Sequence, residues 1–160
     1  MAATKKKKKK TAMAVINQHI KTGEFAKIYL LYGEERYLVN QYRDKLLSAL
    51  TDKDDNLNFM KFAGNGIDTS ELLAFCNEMP FFADRRVVLV ENSGLFKSSN
   101  EDFAKKLVEI EDTSVAIFVE MDVDTRYKLF KAVDKNGEAL DFATPDEKMM
   151  VTWVKSLFRA

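Results

Sequence analysis

The stretch "KIYLLYGEERYLVNQYRDKLLSAL", residues 27–50, decides the fold class of this chain. Its uninterrupted apolar run, Ile28–Tyr32, is typical of a strand that is buried on both faces, and Gly33 predicts a tight turn directly after it. Apolar residues then recur every four positions and predict a helix with one apolar face. They are Leu38, Tyr42, Leu46 and Leu50. A strand, a tight turn and a helix in this order are typical of an α/β domain.

The rest of the chain repeats this alternation. Four further strands are predicted, in "NLNFMKFAG" (56–64), "RVVLVEN" (86–92), "VAIFVEM" (115–121) and "EALDFA" (138–143). Strands that alternate with helices predict a parallel sheet covered by helices on both faces. The second and fifth strands are the most polar and are therefore expected at the sheet edges. Two strand orders satisfy this, the flavodoxin-like 2-1-3-4-5 and the P-loop order 5-1-4-3-2, and the pattern does not choose between them.

Helical spacing of apolar residues predicts the helices that flank and connect these strands. The signals are a lead-in helix over residues 11–23, a capping box of Asp68 and Glu71, a serine- or asparagine-capped helix over residues 98–111, and a short helix capped by Asp124. In the helix that begins after Asp68, the apolar positions extend as far as Met79, and Pro80 ends the pattern.

The chain divides into three predicted segments. Residues 1–12 are expected to be a basic, disordered arm, and residues 13–144 to form the α/β domain. Thr144 and Pro145 make a strong helix start, and residues 145–160 carry an apolar face. We expect this helix to open a truncated, helical second domain. The alternative is a terminal helix that packs back on the sheet.

The charge of the chain is unevenly distributed. Residues 5–10 are all lysine; removing these six from the 25 Lys and Arg leaves 19, against 25 Asp and Glu. A mildly acidic body argues against a broad nucleic-acid-binding face, since phosphate binding requires basic residues gathered on one surface. DNA binding through the lysine arm alone is an alternative.

The single cysteine, Cys76, excludes an internal disulfide and a multi-cysteine zinc site, which fits a reducing compartment. No apolar run approaches the roughly 18 residues that span a bilayer. We therefore expect a cytoplasmic protein with no membrane partner.

The turn after the first strand lacks the chemistry of a phosphate-binding loop. Such a loop has the pattern G-x-x-x-x-G-K-[ST], in which the lysine neutralises phosphates and the hydroxyl holds magnesium. Counted from Gly33, this chain has Leu38, Val39 and Asn40 at the last three of those positions. Glu34 and Glu35 add further repulsion for phosphate. The sequence predicts no ATP hydrolysis, no catalytic residues, and no cofactor or metal.

Other polar residues near the strand ends are weak candidates for chemistry. Glu91 and Asn92 follow the third strand, where an ATPase places a magnesium-holding carboxylate, but a solvated or capping residue is expected there. His19 has no acid or cysteine at useful spacing and is interpreted as a surface histidine.

The segment "EMPFFADRR", residues 78–86, raises a different possibility. Phe81 and Phe82 follow a proline and precede a charged run, where exposed aromatic area is normally avoided. Either at least one ring packs under the sheet, or both are exposed for another protein. The residues alone favour the first interpretation.

Three segments together resemble one family. "IYLLYGEERYLVNQYRDKL", "MPFFADRRVVLVENSGLF" and "DFATPDEKMMVTWVKSLF" are similar to the N-terminal part of the delta subunit of bacterial DNA polymerase III, the clamp-loader wrench, in its Firmicutes form. The resemblance covers about residues 13–160. It implies a three-layer, RecA-like and AAA+-related P-loop-type domain without ATPase activity. It also implies DNA replication as the process, and a truncated chain that lacks the C-terminal domain by which the family contacts other clamp-loader subunits.

The resemblance also implies a binding site. In the family, a hydrophobic wedge inserts into a pocket of the beta sliding clamp and opens one clamp interface, and Met79, Pro80, Phe81 and Phe82 match that element. DNA is an indirect partner in the complex. Arg85 and the following Arg86 either steer the wedge toward an acidic rim or are an exposed pair at the start of the strand. The alternative function is a nucleotide-sensing α/β domain that does not hydrolyse its ligand.

Overall fold

The structure is a computed structural model that describes residues 11–52 and 54–143. The predicted basic arm, up to residue 10, and the predicted helix over residues 145–160 lie outside the described residues. Of the described residues, no helix combines the length and the apolar composition that crossing a membrane requires.

All strand pairs of the described sheet are parallel. The strands are β1 (Ile28–Tyr32), β2 (Phe59–Ala63), β3 (Arg86–Glu91), β4 (Ser114–Val119) and β5 (Glu138–Asp141). Their order across the sheet is β2-β3-β4-β1-β5. This is the P-loop order and excludes the flavodoxin-like one. The predicted edge positions of β2 and β5 are confirmed.

Helices cover both faces of the sheet. They are α1 (Ala12–Thr22), α2 (Arg36–Leu50), α3 (Thr69–Cys76), α4 (Glu101–Leu107) and α5 (Lys128–Asn136), with a short 3₁₀ turn at Leu95–Lys97. Buried residues of α1 and α2 share one core cluster, and those of α3, α4 and α5 share the other. The predicted three-layer α/β architecture is confirmed.

The central strands are apolar throughout because each faces two cores. In β1, Ile28 and Leu30 belong to the core beneath α3, α4 and α5, while Tyr29 and Leu31 belong to the core beneath α1 and α2. Successive side chains of a strand point to opposite faces, so an unbroken apolar run is what two cores require.

Three local predictions differ from the structure. Helix α5 begins at Lys128 and not directly after Asp124. The reason is that the Asp124 carboxylate accepts hydrogen bonds from the backbone amide and the guanidinium of Arg126, which closes a separate turn. Asn100 precedes α4, but its side-chain amide donates to Leu95 and Ser98 and does not cap the helix. Helix α3 ends at Cys76, so Met79 is not part of its apolar face.

Candidate functional site

The wedge segment, residues 79–82, connects α3 to β3 at the amino-terminal edge of the sheet. Its large side chains are exposed: Met79 to 69%, Phe81 to 55% and Phe82 to 94%. The interpretation in which one ring packs under the sheet is therefore wrong. Adjacent exposed apolar side chains of this size are typical of interaction sites on soluble proteins.

The two phenylalanine rings of the wedge segment pack on each other. Their centroids are 4.5 Å apart and their planes make an angle of 75°, which is an edge-to-face arrangement. Phe82 has a φ of +55°. The left-handed region costs roughly 1–2 kcal/mol for a residue with a Cβ. The chain therefore presents these rings on a backbone conformation that carries an energetic cost.

A buried asparagine holds the backbone of the wedge segment. The Asn58 side chain accepts a hydrogen bond from the Phe81 amide (2.7 Å) and donates one to the Phe81 carbonyl (2.8 Å). The Asp55 carboxylate accepts a further bond from the Asn58 amide group (3.0 Å). Hydrogen bonds from the Asn58 side chain and backbone hold the pKa of Asp55 below its usual value.

A buried arginine completes the support beneath the wedge segment. Arg86 is 7% exposed, and its guanidinium donates to the carbonyls of Phe75 (2.9 Å) and Met79 (3.5 Å). It also lies 3.8 Å from the Phe75 ring centroid and 3.5 Å from the Glu78 carboxylate. One charged donor thus serves the Phe75 carbonyl in the last turn of α3 and the Met79 carbonyl after the helix.

This placement corrects the interpretation of the two arginines. Arg86 is buried, so the predicted exposed pair at the start of β3 does not exist, and Arg86 is not available to steer a partner. Arg85 lies 4.8 Å from the Phe25 ring centroid and donates to the Gly23 carbonyl (3.4 Å). The polar depression that includes Phe82 and Arg85 is lined mainly by other residues, three of which are acidic: Asp52, Asp55 and Asp84.

The degenerate phosphate loop lies at the opposite, carboxyl-terminal edge of the sheet. A Cβ on Gly33 would lie 2.6 Å from the backbone carbon and oxygen of Phe142. The Glu35 amide donates to the Phe142 carbonyl (2.9 Å), and the Arg36 guanidinium donates to the Gly33 carbonyl (3.4 Å). The Glu35 amide, which could face a phosphate in a functional loop, is thus already bonded inside the domain.

The three residues at the missing phosphate-binding positions have structural contacts. Val39 is fully buried in the core beneath α1 and α2, and Leu38 packs against the same cluster. Asn40 accepts a hydrogen bond from Arg43 (3.2 Å). Leu38 and Val39 pack the start of α2, and none of the three positions supplies the lysine or hydroxyl by which a phosphate loop holds phosphate and magnesium.

The other polar residues singled out in the sequence also have local partners. Glu91 forms ion pairs with Arg43 and Lys61, each at 3.1 Å, so its carboxylate is satisfied within the domain. His19 is not a free surface residue as predicted: it is half-buried, and its Nδ1 lies 2.6 Å from the Tyr29 hydroxyl. Burial raises the pKa of Cys76 to about 12, which makes its thiol unreactive. Of the described residues, no cluster could hold a metal ion.

Sequence reasoning missed Glu120, which follows β4 at the carboxyl-terminal edge. Its carboxylate is 1% exposed and accepts hydrogen bonds from the Ser93 amide and hydroxyl and from the Gly94 amide, each at 3.0 Å. Burial raises its pKa, while these donors partly oppose the shift. The signal in the sequence was an acidic residue placed directly after an apolar strand. Glu120 fixes the loop after β3 and lies at the edge where open α/β sheets bind their ligands.

We expect Glu120→Ala to lower the free energy of unfolding by roughly 1–3 kcal/mol, because it leaves the buried donors of Ser93 and Gly94 without an acceptor. Glu120→Gln retains one carbonyl acceptor and should lose less. Because the folded pKa lies above the ordinary 4.5, the wild type should gain stability relative to Glu120→Gln as the pH falls from neutral toward 4.5. Urea denaturation at several pH values measures both effects. A pH-independent difference between the two proteins would contradict the assignment.

The comparisons with known proteins agree with one another. The sequence model of the family described as "DNA polymerase III, delta subunit" matches residues 29–143. The DNA polymerase III subunit delta of Bacillus subtilis (strain 168) is 32% identical over 76 residues, which are 46% of this chain and 21% of that protein.

Two solved structures share the fold. One is described as the Bacillus subtilis DNA clamp loader delta protein; it has a TM-score of 0.76 and 20% identity over 88% of this chain and 45% of its own. The other is a DNA polymerase III gamma subunit-related protein from Thermotoga maritima, with a TM-score of 0.57 and 13% identity over 87% of this chain and 48% of its own. This chain therefore spans less than half the length of each.

Proposed function

Because this chain belongs to the DNA polymerase III delta-subunit family, we propose that it is the part of a clamp-loader subunit that binds and opens the beta sliding clamp during DNA replication. The wedge segment inserts its two phenylalanines into an apolar pocket of the clamp. The single observation that carries this proposal is the exposure of Phe81 and Phe82, at 55% and 94%, on a backbone held by buried polar side chains.

The wedge segment carries enough apolar surface to form the hot spot of such a contact. Full burial of a phenylalanine side chain contributes about 1.5–3 kcal/mol, and two adjacent rings at the centre of an interface form a hot spot. Met79 and Pro80 extend the apolar surface beside them. Insertion of this surface stabilises the clamp conformation that accommodates it. In this proposal the free energy of binding, and not a chemical reaction of this chain, opens the ring.

A direct test is a pull-down of the beta sliding clamp from the same organism with this chain. We expect the clamp to be retained by the wild type and lost when Phe81 and Phe82 are both replaced by alanine. Contacts with the other clamp-loader subunits belong, in this proposal, to the family's C-terminal domain, and DNA is an indirect partner through the assembled complex.

Nucleotide sensing is the second candidate function, and the carboxyl-terminal edge of the sheet disfavours it. The Glu35 amide is bonded to Phe142, and the guanidinium of Arg36 donates to the carbonyls of Gly33 and Glu120. No lysine or hydroxyl stands at the positions that hold phosphate and magnesium. The same features support the proposal that this chain does not hydrolyse ATP.

We expect ATP or ADP with magnesium to leave the thermal unfolding midpoint unchanged up to millimolar concentrations. A ligand at 100 times its dissociation constant would add about 2.7 kcal/mol to the stability of the folded state. Differential scanning fluorimetry across a nucleotide titration measures this, and magnesium alone is the control. A midpoint that rises with nucleotide concentration would favour the sensing function over the proposal of a domain that does not bind nucleotide.

A further inference from the structure

We propose that Asn58 is a positioning residue that holds Phe81 and Phe82 in their binding arrangement before a partner is present. This inference rests on the proposed function of the wedge segment and adds how that segment recognises its partner. A surface that is held rigid before contact fits a preformed apolar pocket and does not fold around its target.

The contact between Asn58 and Phe81 resembles a pair of backbone hydrogen bonds. Asn58 is 2% exposed, and its carboxamide both accepts from the Phe81 amide (2.7 Å) and donates to the Phe81 carbonyl (2.8 Å). Both polar backbone groups of one exposed residue are thus satisfied by one buried side chain. Two bonds to the same residue fix its orientation as well as its position.

Asn58 is itself fixed from two directions. The Asp55 carboxylate accepts from the side-chain amide of Asn58 (3.0 Å) and from the backbone amides of Leu57 and Asn58 (2.9 Å each). The Asn58 carbonyl accepts from the Val87 amide (2.7 Å), which ties this residue to the beginning of β3. Asn58 therefore joins the sheet to the wedge segment, and Asp55 holds its carboxamide in the required orientation.

The wedge segment needs such a holder because its own preferences oppose the observed arrangement. Phe82 has a left-handed φ of +55°, which an aromatic residue rarely adopts, and its ring is 94% exposed. Without the bonds from Asn58, this backbone would relax and the binding arrangement would be only a fraction of the ensemble. The apparent affinity for a partner falls by that fraction.

Asn58→Ala is the direct test, read by amide hydrogen exchange and by affinity for the beta sliding clamp. We expect exchange at the Phe81 amide to become at least about 10-fold faster, and clamp affinity to fall about 10-fold, in proportion to the lost population. Asn56→Ala removes an exposed asparagine two positions away and should change neither. Ser93→Ala removes a buried polar contact at the opposite edge of the sheet; it should lower stability and leave clamp affinity and Phe81 exchange unchanged.

Asp55→Ala covers the case in which Asn58→Ala does not fold. It removes the acceptor that orients the Asn58 carboxamide. We expect faster exchange at the Phe81 amide and weaker clamp affinity, each by a smaller factor than in Asn58→Ala. Unchanged exchange at Phe81, or unchanged clamp affinity, in the Asn58 or Asp55 variant would overturn the inference. If the wild type does not bind the clamp, the proposed function fails, and exchange at Phe81 alone then decides whether Asn58 positions the segment.

Discussion

Replacing Phe81 and Phe82 together by alanine should weaken binding to the beta sliding clamp by at least about 100-fold. Two buried phenylalanines contribute about 3–6 kcal/mol at an interface, and each 1.4 kcal/mol corresponds to a factor of ten in the dissociation constant. Surface plasmon resonance with immobilised clamp measures the change. The reason for so large an effect is that both rings lie at the proposed centre of the contact.

The same double variant should fold as well as the wild type. The Phe82 ring is 94% exposed and the Phe81 ring 55%, so their loss removes little packing inside the domain. We expect the free energy of unfolding to change by no more than about 0.5 kcal/mol, as for most surface substitutions. A double variant that unfolds would show that the rings are part of the core.

Tyr37 offers a matched control for this experiment. It is an exposed aromatic residue, 77% accessible, near the start of α2 at the carboxyl-terminal edge of the sheet. Tyr37→Ala removes a similar aromatic surface at a site that the proposal does not place in the interface. Its clamp affinity should equal that of the wild type. Equal losses of affinity in both variants would show that the measured binding is non-specific adhesion of aromatic side chains.

Replacing Gly33 by alanine should have the largest effect on stability. The new Cβ would lie 2.6 Å from the carbonyl carbon and oxygen of Phe142, and neither backbone atom has room to move without breaking the hydrogen bonds that join Phe142 to Tyr32 and Glu35. Gly33 also has a φ of +119°, which residues with a Cβ rarely adopt. We expect the free energy of unfolding to fall by roughly 3 kcal/mol or more.

Gly66→Ala separates the two causes of this loss. Gly66 has a φ of +80°, but a Cβ there would have no atom within 4 Å. Gly66→Ala should therefore lower the free energy of unfolding only by the cost of the left-handed backbone conformation, roughly 1–2 kcal/mol. Chemical denaturation of both variants measures the difference. Similar losses at the two positions would mean that the contact with Phe142 contributes nothing, and that Gly33 is retained for its backbone conformation alone.

The fold was largely predictable because the three central strands, β1, β3 and β4, are short apolar runs that each face two cores. The strand order was not, because both candidate orders place the polar strands β2 and β5 at the edges. Only the three-dimensional pairing of β1 with β4 and β5 distinguishes them. Local periodicity carries no information about which strands are neighbours.

The candidate site was predictable only in part. Apolar residues after a proline drew attention to the wedge segment, but its supports were not visible. Arg86 follows Asp84 and Arg85 in a charged run, so its burial could not be anticipated; it depends on carbonyls at the end of α3, among them that of Phe75. Asn58 lies 23 residues before its partner Phe81. Such contacts depend on which chain segments meet in space.

The double attachment beneath the wedge segment has a mechanical consequence. Asn58 fastens Phe81 to the chain that enters β2, and Arg86 fastens the Met79 carbonyl to the first residue of β3. The wedge segment is therefore anchored at two points, one just before β2 and one at the start of β3, and these two strands are neighbours in the sheet. A force applied to the two phenylalanine rings is therefore transmitted to the sheet and resisted by its stiffness. When the sheet rotates, the wedge segment rotates with it by the same angle.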